Sequence, residues 1–146
     1  MNCIRKATAE DLARIAEIEI FNYRLNFYPI FREDEFYFRE LQVPAMMESY
    51  RPLLEEFWVY DDGAVKGFFR AEGRQLKKLF VEPVLQGGTI GDQLLEYAVK
   101  NNGVTFLWAL EKNVRAIAFY RRHGFRVTGD RMPEDDTEEY LVRLER

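Results

Sequence analysis

The sequence predicts an α/β fold: a single domain with a mixed sheet of about seven strands, mostly antiparallel with a central parallel pair, flanked by about four helices. Three observations predict it. Segments with helical apolar spacing alternate with short β-rich runs, an Asp-Gly turn joins two of those runs as a hairpin, and a continuous apolar run follows a strand-helix unit as a parallel neighbour would. At 146 residues, with 47% hydrophobic and 15% aromatic side chains, the chain suits one core of ordinary density.

Asn2 to Lys6 reads as the first strand, with Cys3 expected to be buried in it. Thr8-Ala9-Glu10-Asp11 then opens a helix in capping-box style, and Leu12, Ile15, Ile18 and Leu25 share its apolar face. The aromatic stretch Phe27-Tyr28-Pro29-Ile30-Phe31 interrupts the pattern, and the polar start Glu33-Asp34-Glu35 opens a second helix through Met47. Phe57 to Tyr60 and Val65 to Arg70 form a hairpin around Asp61-Asp62-Gly63, and a Glu72-Gly73-Arg74 turn leads to a third antiparallel strand, Leu76 to Val81. A helix carrying Leu94, Leu95 and Ala98 follows. Val104 to Leu110 is apolar throughout, as a strand covered on both faces should be. The helix Asn113 to His123 ends at Gly124, and Phe125 to Thr128 and Tyr140 to Leu144 close the chain as a half-exposed hairpin around Pro133 and Asp135-Asp136.

Composition excludes several functions. A net charge of −4 argues against non-specific nucleic-acid binding, which needs clustered Lys and Arg to neutralise phosphates. Cys3 is the sole cysteine, so no internal disulfide forms and a reducing, cytoplasmic setting is the simplest expectation. No stretch approaches the roughly 20 apolar residues of a membrane span, and the start lacks a secretory apolar core, so no membrane association is expected.

The most informative segment is Gln86-Gly87-Gly88-Thr89-Ile90-Gly91, a glycine-rich joint between a strand and a helix. The first N–H groups of a helix have no intrahelical partner and carry partial positive charge, while glycines let an anion approach the backbone. A ligand bearing a pyrophosphate is the natural occupant, although a tight turn in which glycines only relieve strain has the same composition. No Gly-Lys-Ser/Thr triplet follows, and no Gly-x-Gly-x-x-Gly opens a first βαβ unit, which disfavours an NTPase or a dinucleotide enzyme. Thr89 is placed to cap the helix, with Asp92 three residues on completing a capping box.

A second segment follows, Asn113-Val114-Arg115-Ala116-Ile117-Ala118-Phe119-Tyr120 and then Arg121-Arg122-His123-Gly124-Phe125. Together the two resemble the GCN5-related N-acetyltransferase (GNAT) superfamily, specifically from Leu76 to Thr128 and elsewhere by element order. In that family a Gln/Arg-x-x-Gly-x-Gly/Ala loop binds the coenzyme A pyrophosphate. Gln86 and Gly91 match its ends, while Thr89 stands where the family carries a glycine.

The resemblance implies acetyl-CoA as cosubstrate and direct transfer of its acetyl group to a primary amine of a small molecule or peptide. It implies a cofactor surface of Gln86, Gly87, Gly88, Thr89, Ile90 and Gly91, backbone groups of Phe80, Val81 and Glu82 beside the acetyl carbonyl and pantetheine arm, and Asn113, Phe119 and Tyr120 from the second segment. Tyr120 stands where many relatives carry the tyrosine that protonates the departing thiolate; the alternative is an aromatic packed one turn from Ala116. Asn113 fits a pantetheine contact or a plain helix cap equally. Arg121 and Arg122 reach a 3′-phosphate or simply suit a helix C-terminus, and His123, the only histidine, reads as a solvated helix end with no metal cluster around it.

The family's usual glutamate registers fall on Leu79 and Trp108, so deprotonation through ordered water or capture of an already neutral amine is expected, with Glu72, Asp61, Glu82 and Glu111 as the other carboxylates considered. Phe27 to Phe38 flanks the acceptor channel in the resemblance, with Tyr28 and Tyr37 the candidate acceptor contacts, against the alternative that these aromatics pack the second helix. The absence of an obvious base, with Thr89, leaves a non-catalytic acyl-CoA sensor as the alternative function.

Overall fold

The computed structural model describes residues 2–146. Seven strands form one mixed sheet in the order β1-β2-β3-β4-β5-β7-β6. β1 (Ile4–Lys6), β2 (Phe57–Asp61), β3 (Val65–Glu72) and β4 (Gln75–Val81) are antiparallel neighbours, β4 and β5 (Phe106–Leu110) are the parallel pair, and β7 (Tyr140–Glu145) lies between β5 and β6 (Arg126–Pro133). The predicted fold is the observed one.

Helices α1 (Leu12–Asn22) and α3 (Val43–Tyr50) cover one face, and α4 (Ile90–Asn102) and α5 (Val114–Arg122) the other. Because successive side chains of a strand point to opposite faces, adjacent Phe68 and Phe69 of β3 feed two different cores. Phe68 packs with Leu12, Ile15, Ile18 and Phe57 under α1 and α3, whereas Phe69 packs with Leu94, Leu95, Ala98 and Phe125 under α4 and α5. Each phenylalanine fully removed from water contributes about 1.5–3 kcal/mol. Gly67 permits the close approach of α4: a Cβ there would stand 3.0 Å from Leu94 Cδ1 and 3.1 Å from the Phe80 carbonyl oxygen.

The start of α1 follows its predicted logic, with the Asp11 carboxylate accepting the Thr8 N–H at 2.8 Å and two bonds from the Arg5 guanidinium at 2.8 and 3.0 Å. Its end does not. From Tyr23 to Phe27 the chain winds as a π-helical turn, whose extra residue per turn shifts the helical phase, so Leu25 leaves the Leu12-Ile15-Ile18 face and is 52% exposed. After α2 (Tyr28–Phe31), the helix expected through Met47 divides in two. A π-helical turn at Glu35–Glu40 stops at Leu41, and α3 begins at Val43 with Pro44 in its first turn. Proline has no N–H and its ring would clash with the carbonyl four residues back, at Glu40, so the chain can only restart there.

Three smaller expectations are also corrected. Cys3 precedes β1 and is half-buried. β5 is not covered on both faces, because Trp108 and Ala109 are half-buried and Phe106 carries the Arg143 guanidinium 4.1 Å from its ring centre. β6 extends well beyond Thr128, through an irregularity between Val127 and Arg131 where Gly129 takes a positive φ.

Candidate active site

The sheet opens between its parallel strands. β4 and β5 are paired only at Gln75↔Phe106 and Leu76↔Leu107. Beyond that point Lys77 to Val81 and Trp108 to Leu110 form facing walls of a cleft of about 990 Å³. The Glu82 N–H donates to the Lys66 carbonyl on β3 at 2.9 Å. Peptide groups along an antiparallel strand turn alternately to either neighbour, so Phe80 and Glu82 spend theirs on β3 while Leu79 and Val81 direct theirs into the opening. Of the three backbone candidates, Val81 is therefore the one aimed at the cleft, and Leu79 joins it. The Glu82 carboxylate is engaged elsewhere, by Arg14 at 2.7 Å.

One end of the cleft is the N-terminus of α4. Gly87 has φ +91° with open space where a Cβ would be, and Gly88 meets only the Leu85 carbonyl at 3.6 Å. Thr89 immediately precedes α4 but its side chain makes no cap: the hydroxyl accepts from Gln93 Nε2 at 3.0 Å. Asp92 does not return to Thr89 either, because its carboxylate lies 2.7 Å from His123 Nε2. The expected capping box is thus absent, and the first N–H groups of α4 are left without protein partners of that kind beside an open, glycine-floored space. Such a cradle fits a phosphate group. Arg115 and Arg122 line the same cleft, adding mobile positive charge, while Arg121 does not line it. His123 is not a solvated helix end, since Asp92 and Glu96 engage both ring nitrogens, the latter at 2.9 Å, and the side chain is 14% exposed. This contact, followed by Arg146, holds the Glu96 carboxyl below its ordinary range.

Gln86, Gly87, Gly88, Gly91, Phe80, Val81, Asn113, Phe119 and Tyr120 line the cleft, whereas Thr89, Ile90 and Glu82 do not. Asn113 caps α5, its Oδ1 accepting the Ala116 N–H at 3.3 Å. The Phe119 ring lies 3.5 Å from where a Cβ of Gly91 would sit, so α5 packs tightly on the first turn of α4. Tyr120 is held edge-on between Phe119 and Phe125, at 5.2 and 5.9 Å between ring centres. Its hydroxyl meets no hydrogen-bond partner among the described residues and opens on the cleft, and burial raises its pKa above that of an ordinary phenol.

The other half of the cleft is built by the two π-helical turns. Tyr23, Phe27, Phe31, Phe36 and Tyr37 line it. Tyr37 is buried, and its pKa is pushed up to about 12 by burial and by Glu33 and Glu134. Tyr28 lies outside the lining with its hydroxyl on Asp34 at 2.5 Å, and packs edge-on against Tyr37. The aromatic segment therefore serves partly as a satellite core with Ile20 and Leu41, and partly as a wall. Glu33, Glu40, Glu134, Asp135 and Asp136 edge this half, and burial next to Asp135 raises the Glu134 carboxyl. Beneath it the buried Glu19 carboxylate accepts from Lys78 and, at 2.7 Å, from the Tyr50 hydroxyl.

Sequence reasoning noted Leu79 only as the register of a missing glutamate and did not single out Arg115, Asn22 or Glu134. Arg115 carried a signal, because a cation in the first turn of a helix opposes the dipole and needs another reason to be there. Asn22 carried one too, as a polar residue on the Leu12-Ile15-Ile18 stripe.

A cleft that opens a parallel strand pair beside an uncapped helix N-terminus defines the class of protein as one built to hold an extended anionic cosubstrate. Residues 54–127 match the acetyltransferase (GNAT) domain family, and the chain belongs to that family. It is 31% identical over 96 residues to the peptidyl-lysine N-acetyltransferase YjaB of Salmonella typhimurium, spanning 58% of this chain and 66% of that one. It is 29% identical over 137 residues to the peptidyl-lysine N-acetyltransferase YiaC of Escherichia coli, spanning 92% and 90%. The fold superimposes on the YncA structure from Salmonella typhimurium, which carries its cofactor acetyl-CoA, with a TM-score of 0.67 and 22% identity over 97% of this chain and 90% of that one.

Proposed function

We propose that the protein is an acetyl-CoA-dependent N-acetyltransferase of the cytoplasm that moves the acetyl group directly to a primary amine, with the lysine side chain of a peptide as the favoured acceptor. The observation that carries this reading is the conjunction, in one cleft, of the open glycine cradle at α4, the inward-turned Val81 peptide and the unengaged Tyr120 hydroxyl. When bound, acetyl-CoA supplies an activated thioester. The first turn of α4, with Arg115 and Arg122, would hold its phosphates. The Val81 N–H is placed to polarise a carbonyl in the opening, and the Leu79 N–H, two residues back along the strand, is left to bind another acceptor of the cosubstrate.

Transfer forms a C–N bond, breaks the C–S bond, removes a proton from the amine and returns one to the thiolate. Tyr120 is suited to the last step. A thiol has a pKa of about 8.5 and a phenol of about 10, and burial lifts Tyr120 further, so its hydroxyl stays protonated throughout the working range. It protonates the departing thiolate, and the proton released by the amine returns through ordered water to the phenolate left behind, so protons balance over the cycle. The pH dependence of the rate then belongs to the amine and rises toward the amine's own pKa.

The acceptor half supports a cationic amine, because its carboxylates outnumber its free cations and aromatic faces border it. The YjaB and YiaC relatives are named for peptidyl-lysine, and the same acceptor is proposed here. The test is thiol release from acetyl-CoA across lysine peptides, polyamines and small amines, beside a calorimetric titration with coenzyme A. Release with lysine peptides supports the reading. Tight coenzyme A binding without release on any amine would favour a non-catalytic acyl-CoA sensor, and absence of binding would remove both.

A further inference from the structure

Asn22 is the last residue of α1 and only 2% exposed, yet all its hydrogen-bonding capacity is directed toward the cleft and its frame. Its Nδ2 donates to the Ile18 carbonyl and to the Val81 carbonyl, both at 2.9 Å. Its Oδ1 accepts from Gln86 Nε2 at 2.7 Å and from Asn26 Nδ2 at 3.3 Å. Asn22 therefore touches the end of β4, the first residue of the cofactor loop and the π-helical turn that lines the acceptor half.

An aliphatic side chain would suffice to fill the space. A buried amide instead requires every partner to stay in place, since each one lost leaves a polar group desolvated and unpaired. Gln86 shows the consequence. Its amide nitrogen is turned inward to Asn22, with a longer contact to the Val81 carbonyl at 3.4 Å. The side chain at the head of the cradle is thus anchored to α1. The Val81 carbonyl is pinned by the same amide, which fixes the rotation of the residue whose N–H faces the cleft.

We propose that Asn22 is a positioning residue that locks α1, the Val81 peptide and Gln86 into one unit and thereby sets the affinity of the α4 cradle for coenzyme A. This rests on the proposed function. A purely structural Asn22 would lower stability and leave Gln86 to act independently. A positioning Asn22 makes the two residues act as one, and double-mutant coupling distinguishes the cases.

The experiment is calorimetric titration of coenzyme A into the wild type, Asn22→Leu, Gln86→Leu and the double variant, with melting temperatures recorded in parallel. Asn22→Leu and Gln86→Leu should each weaken binding about tenfold, the scale of the Asn22–Gln86 hydrogen bond that both lose, and the double variant no more than either alone. Where the leucine variant does not fold, Asn22→Ser replaces it. A serine hydroxyl can still bond the Ile18 carbonyl one turn back but cannot reach Gln86. Losses that multiply in the double variant, or wild-type affinity in Asn22→Leu or Asn22→Ser, overturn the proposal. A wild-type chain that binds no coenzyme A overturns the proposed function and this inference with it.

Discussion

β4 has two neighbours and treats them differently. Toward β3 it is paired from Gln75 to Val81, and Phe68 and Phe69 of β3 beside that ladder are core, with Leu76 and Val81 of β4. Toward β5 it is paired at two residues and then released, and the peptide groups and side chains beyond the release line the cleft. One strand thus serves as scaffold along one edge and as binding surface along the other. Buried backbone groups must find partners. Ending a ladder early therefore reserves donors for a ligand, but only where the remaining edge is held rigidly enough to keep them aimed.

Damage to the paired side should cost stability, and damage to the open side should cost function. The largest effect is expected from Phe68→Ala, which empties a fully buried site between β3 and α1; a loss of about 3–5 kcal/mol is expected in denaturant unfolding. Tyr120→Phe tests the other edge. It removes no packing and no existing hydrogen bond, so unfolding and coenzyme A affinity should hold while thiol release falls by about 10²–10⁴-fold. A Tyr120→Phe enzyme of normal rate would assign that tyrosine to packing alone.

Gly87→Ala lies between the two extremes. A Cβ meets no atom there, but φ +91° strains any residue other than glycine, by roughly 1–2 kcal/mol. The loop should relax away from this geometry, weakening coenzyme A binding about tenfold or more, with a smaller change in melting temperature.

The smallest effect is acidification. Asp11, held down first by Arg5, and Glu96, held down first by His123, have folded-state pKa values below their ordinary 3.8 and 4.5. Their stabilisation is complete above those ordinary values and is lost as pH falls through the folded ones. Melting temperature should therefore decline as pH falls below about 4. Glu134, raised by burial, runs the other way, and its small cost to stability is relieved on acidification. Replacing it by Gln should change the acid limb less than replacing Glu96 does.

Much of this was legible in the residues. Alternation, the Asp-Gly turn and helical spacing predicted the sheet and its helices, because these signals report which face of each element meets a core. The glycine loop and the Asn113 to Phe125 segment directed attention to one end of β4 for the same local reasons. Misreadings fell where a local pattern met a longer-range constraint. Leu25 has the right spacing for a regular helix, but the π-helical turn at Tyr23 shifts the phase. Asp92 has the right spacing for a capping box, but His123, thirty-one residues later, takes its carboxylate.

The sequence by itself determined the order of the strands and of the helices α1, α4 and α5, the glycines that permit a positive φ at Gly87 and a close approach at Gly67, and the family resemblance. Only the tertiary structure decided that β4 and β5 part after Leu76, that Leu79 and Val81 face the opening, that Arg115 and Arg122 line the cleft, and that Asn22 holds Val81 and Gln86 together. Propensity and periodicity are properties of neighbours along the chain, whereas a cleft is made by contacts such as Asn22 to Gln86, sixty-four residues apart.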